Sequence, residues 1–144
     1  MTEIAFHFNV PDKLGYACRL IRKVWLAGHR VVVTGTPATL QALDVALWTA
    51  SPQEFIPHCM GTASPEMLSA TPVVFQAELA QAVHHDVLVS LHPEVQPGFE
   101  AFVRVVEVVS KDDEDRSQAR MRWRHYQQQG FNLVQHDLAK IQSS

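Results

Sequence analysis

Four arginines, a tryptophan and a tyrosine fall between Arg116 and Gly130, in the run RSQARMRWRHYQQQG. Arginine forks bind carboxylates bidentately, and an aromatic ring beside them can wall a small apolar pocket. The chemistry on offer is recognition of an acidic partner. Read as a helix at about 100° per residue, Arg116, Arg120 and Arg124 fall at roughly 0°, 40° and 80°, with Trp123 at about −20°. Ala119 and Tyr126, at about −60° and −80°, mark the core-facing side. Trp123 thus stands on the seam between the core and a basic stripe, and Arg122 lies on the far side of the core-facing residues. The acids Asp112, Asp113, Glu114 and Asp115 come just before. They suit the positive end of the helix dipole and offer a plainer reading, a solvated helix in which Asp112 pairs with Arg116.

Elsewhere the reactive residue types form no catalytic constellation. Neither G-x-G-x-x-G nor G-x-x-x-x-G-K-[ST] occurs, so a bound dinucleotide or triphosphate is not expected. The densest histidine group is His84, His85 and His92 with Asp86, but adjacent histidines on a strand point to opposite faces. Their spacing matches no zinc site. His58-Cys59 invites a nucleophile reading, yet no strained elbow or orienting carboxylate is visible. Cys18 and Cys59 lie far apart, which argues against a disulfide framework and fits a reducing compartment. No catalytic residue, metal or cofactor is expected.

The elements that must hold the arginine stripe belong to one domain, residues 1–144, with a looser tail from about 134. Net charge is −3, so the chain as a whole is not drawn to nucleic acid or to an anionic membrane. The N-terminus lacks the basic flank of a signal peptide, and no stretch reaches the ~20 apolar residues of a membrane span. A soluble, cytoplasmic protein is expected.

Ile4, Phe6 and Phe8 alternate with Ala5 and His7 as in a strand. After Pro11 and Asp12, Leu14, Ala17, Cys18, Ile21, Val24 and Trp25 keep helical spacing as far as Gly28. Residues 30–34 (RVVVT) read as a strand buried on both faces. Thr36 and Pro37 then open a helix carrying Leu40, Leu43, Leu47 and Trp48. Residues 51–71 read as irregular, with a short strand near Phe55-Ile56. Val73–Phe75 and Val87–Leu91 are further strands. A short helix near Phe99 passes into a last strand at about 104–110, and the arginine helix runs from about 112 to 129. The order predicts an α/β fold, a Rossmann-like single domain whose central sheet is mostly parallel with helices on both faces.

Several segments together carry a family resemblance. L-D-V-A-L-W from Leu43, E-F-I-P-H from Glu54, D-V-L-V-S-L from Asp86 and A-R-M-R-W-R-H-Y-Q-Q-Q-G-F-N-L from Ala119 resemble the chi subunit of bacterial DNA polymerase III. They come in the family's order and approximate spacing, with G-H-R-V-V-V at Gly28. The resemblance implies a non-catalytic replication adaptor. One surface would bind the psi subunit and so the clamp loader. Another would bind the acidic C-terminal tail of single-stranded DNA-binding protein (SSB), touching DNA only indirectly. The implied tail site is Arg116, Arg120, Trp123, Arg124, Val109 and Trp48. Phe55 matches the position associated with psi and with a competing helicase. Trp123 stands where the family pattern has tyrosine, and His84-His85 stand where it has arginines. On the residues alone two alternatives stay open. One is a Rossmann-like enzyme acting on a phosphorylated small molecule, and the other is direct single-stranded nucleic-acid binding by the basic helix.

Overall fold

The computed structural model describes residues 2–50 and 56–139. Its centre is a seven-stranded sheet in the order β3-β4-β2-β5-β6-β1-β7. The strands are β1 (Glu3–Val10), β2 (Val31–Thr34), β3 (His58–Met60), β4 (Val73–Phe75), β5 (Val87–Ser90), β6 (Arg104–Ser110) and β7 (Asn132–Asp137). Every pairing is parallel. The helices are α1 (Lys13–Leu26), α2 (Pro37–Ala50), α3 (Pro65–Ala70) and α4 (Asp113–Gln128). The fold is thus α/β and consistent with a Rossmann-like architecture.

Chain direction explains which helix covers which face. From β1 to β2 to β3 the chain moves towards one sheet edge, and from β3 onwards it returns towards the other. Right-handed crossovers running in opposite directions must place their connections on opposite faces. Accordingly α1 (Ala17, Cys18, Ile21) and α2 (Leu40, Leu43, Leu47) pack on Val31, Val33, Val106 and Val108. On the other face α4 (Ala119, Tyr126) packs with Phe99 and Phe102 over Ile4, Phe6, Val32, Val105 and Val109. The alternation along β1 and β6 distributes side chains between these two cores.

Both long helices flanking β1 end as expected. Gly28 and Gly130 have φ of 90° and 83°, a left-handed conformation that closes each helix. After Gly130, the Phe131 amide donates to the Tyr126 carbonyl at 3.2 Å, and the two rings meet with centroids 6.4 Å apart.

Three expectations are corrected. No strand forms at Ile56, which is instead a buried core residue, and the strand in that region is His58–Met60. Phe55 lies outside the described residues. The irregular stretch from 51 to 71 also contains α3, opened by Pro65 and capped by Ser64, whose hydroxyl accepts from the Met67 amide at 3.3 Å. The last strand is not the one at 104–110. Asn132–Asp137 adds a further parallel strand beside β1, and Leu138 beyond it is buried. Because β7 is an edge strand with exposed Gln135 and His136, its pattern reads from sequence as a polar tail.

Candidate functional site

Two of the four acids at the start of α4, its cap Asp112 and Asp115 of its first turn, fold back on the backbone and on α1. Asp112 caps the helix, its carboxylate accepting from the Asp115 amide at 3.3 Å. Asp115 accepts from the Ser110 amide at 2.8 Å and from Lys13 Nζ at 3.1 Å. Burial works to raise the Asp115 pKa, but the Ser110 amide and the Lys13 ammonium bring it below the usual carboxylate value. Among the described residues, no hydrogen bond or ion pair engages the side chains of Arg116, Arg120 or Arg124. The plainer reading, Asp112 paired with Arg116, is therefore not what forms. Among the described residues nothing answers the charge of these three exposed guanidiniums.

They rim a groove of about 300 Å³ lined by Phe6, Phe8, Val109, Arg116, Ala119, Arg120, Trp123, Arg124 and Gln135. Its base is made by β1 and β6. Phe6 is buried and meets the half-buried Trp123 edge-on, with centroids 5.1 Å apart. Five of the six residues assigned to the tail site, Arg116, Arg120, Trp123, Arg124 and Val109, come together here. Phe6, Phe8, Ala119 and Gln135 line the groove as well and are not among the residues assigned from sequence. The alternation of β1 put Phe6 and Phe8 on one face and could have suggested them, but Gln135 sits on the unrecognised β7.

Trp48 is not in this groove. It lies on α2, across the sheet from α4, 55% exposed, with its ring 4.9 Å from that of His58. The His58 imidazole is held by the Ile56 carbonyl at 2.7 Å and the Asp44 carboxylate at 3.0 Å. Asp44 is an orienting carboxylate that the sequence did not reveal. Both ring nitrogens are engaged, so His58 has none left to activate the Cys59 thiol. Burial lowers the pKa of His84, while His85 packs edge-on against Phe102 at 5.1 Å. No group of three metal-ligating side chains occurs among the described residues.

The fourth arginine of α4 behaves differently. Arg122 is 3% exposed and pairs through Nε with Glu107, itself fully buried, at 3.1 Å. Its Nη1 donates to the Pro93 carbonyl at 2.8 Å, and the Tyr126 hydroxyl donates to the other Glu107 oxygen at 2.6 Å. Burial pushes Glu107 up, and the Arg122 guanidinium and the Tyr126 hydroxyl oppose that rise. Burial and the adjacent carboxylate keep Tyr126 a phenol, hence a donor.

Residues 1–134 match the family model described as DNA polymerase III chi subunit, HolC. The chain belongs to this family. It is 34% identical to the DNA polymerase III subunit chi of Pseudomonas aeruginosa over 148 aligned positions, covering 98% of this chain and 100% of the relative. The chi subunit of Haemophilus influenzae is 27% identical, covering 81% of both chains. That of Escherichia coli is also 27% identical, covering 81% of this chain and 79% of its own. As a chi-family chain, the protein is an accessory subunit with a role in DNA replication. Among its described residues, no helix is long and apolar enough to cross a membrane.

Proposed function

We propose that the chain is a non-catalytic adaptor whose α4 groove holds the acidic C-terminal tail of SSB, while a separate surface binds psi. The observation that carries the first half is a set of exposed arginines, without partners among the described residues, around an apolar groove. Aspartates and a terminal carboxylate suit Arg116, Arg120 and Arg124, and a terminal phenylalanine ring suits Phe6, Phe8, Val109 and Trp123. Titration with a peptide of the SSB tail tests it. Raising salt from about 0.05 M to 0.5 M should weaken the peptide about tenfold, because exposed ion pairs worth ~0.2–1 kcal/mol each are screened. Salt-independent affinity would mean that the apolar base alone holds the peptide.

The second surface is placed at the end of α2. Trp48 and Val45 are exposed there one helical turn apart, beside the strand entry at His58. Trp48 therefore joins Phe55 in the psi-binding proposal and leaves the tail site. Phe55→Ala should reduce co-purification of psi several-fold and leave tail-peptide affinity unchanged. Loss of both would indicate a damaged domain and not a separate surface. A helicase competing with psi would meet this same surface.

A further inference from the structure

We infer that Glu107 is the positioning residue of the α4 groove, setting the angle at which the arginine stripe and Trp123 are presented. The inference rests on reading that groove as the tail site. Glu107 interrupts the apolar run of β6 and faces α4, in parallel register with Phe6 of β1. Its two carboxylate oxygens accept from different side chains of one helix, Arg122 at 3.1 Å and Tyr126 at 2.6 Å. Those residues are four apart, on successive turns, and they bracket Trp123.

Apolar packing alone would leave the rotation of α4 weakly determined, since dispersion contacts have no strong direction. Hydrogen bonds do, and these two anchor adjacent turns to a single carboxylate on a sheet strand. A rotation of about 15° would move a side-chain tip ~6 Å from the helix axis by roughly 1.5 Å. A binding constellation must be held to within about 0.5 Å. The link to the groove runs through Phe6, which meets Tyr126 edge-on at 6.0 Å and Trp123 at 5.1 Å. Arg122 adds a third anchor by holding the Pro93 carbonyl. Among the described residues, the arginine spent in the core orients those left free at the surface.

The test uses the full chain and two variants. Tyr126→Phe removes one anchor and keeps the ring. Glu107→Gln keeps the shape and removes the charge. Tail-peptide affinity is measured at a temperature where circular dichroism shows each variant folded, with psi capture as the control. Each folded variant should bind the tail peptide about three- to tenfold more weakly, the range in which indirect substitutions act, with psi capture unchanged. The combination of Tyr126→Phe with Arg120→Ala should lose less than the sum of the two, because the first acts through the second. A merely structural role would lower the melting temperature and leave the affinity of the folded protein intact, which would overturn the inference. Strict additivity would do the same. Should Glu107→Gln fail to fold, Tyr126→Phe decides. If the wild-type chain itself binds no tail peptide, the tail-site reading falls, and this inference with it.

Discussion

Arg120→Ala should weaken binding of an SSB tail peptide by about 1.5–3 kcal/mol, the cost of losing a hydrogen bond to a charged group, or roughly 10- to 150-fold. Arg120 is the middle member of the stripe, flanked by Ala119 of the groove and one turn from both Arg116 and Arg124. A carboxylate seated there would lie beside the apolar wall that Phe8 and Trp123 give the groove. Arg116→Ala and Arg124→Ala remove guanidiniums at the ends, where solvent weakens the pair, and should each cost nearer 1 kcal/mol. Stability should hardly move in any of the three, within about 0.5 kcal/mol, because among the described residues none of these side chains has a hydrogen-bond or ion-pair partner to lose. Isothermal titration of the peptide, paired with thermal melts, separates the two effects.

Two positions further along the helix, Arg122→Ala should behave in the opposite way. It leaves Glu107 fully buried without a countercharge and strips the Pro93 carbonyl of its donor. Breaking a buried pair from one side typically costs about 3–5 kcal/mol. Against a total stability of about 5–15 kcal/mol, that is a large fraction of the fold. The urea midpoint should drop sharply with an unchanged slope, as for a loss of native-state stability. A midpoint within experimental error of wild type would mean that Glu107 finds another partner or takes up a proton. Two arginines on one helix, differing in their angle by about 200° at 100° per residue, should thus affect affinity and stability separately.

That division was half legible in the residues. Helical angles placed Arg116, Arg120, Arg124 and Trp123 along one edge, and the groove confirms that they share it. The same angles put Arg122 beyond the core-facing residues, but its burial depended on an acid in another element. Glu107 sits inside the run VVEVV, and an acid there, in a strand covered on both faces, requires a buried partner. This was a signal available in sequence, and it pointed to a cation without saying which. The edge strand β7 was illegible for a different reason. Only Leu133 and Val134 contribute apolar surface to Asn132–Asp137, and the pairing with β1 depends on α4 carrying the chain over that strand. Trp48 shows the limit of motif-by-motif transfer. Its segment matches the family, but the face of the sheet on which α2 packs follows from crossover direction, which no local pattern encodes.

In the proposed reading one small domain presents two independent protein-binding surfaces, of which the α4 groove takes SSB. It is tested most directly by immobilising wild-type and Arg120→Ala chains and presenting purified SSB and psi together. The wild-type chain should retain both. Arg120→Ala should retain psi and lose SSB, and SSB deprived of its C-terminal tail should be lost from both chains. Equal retention of SSB by the two chains, or retention of tail-less SSB, would contradict the assignment of α4 as its site.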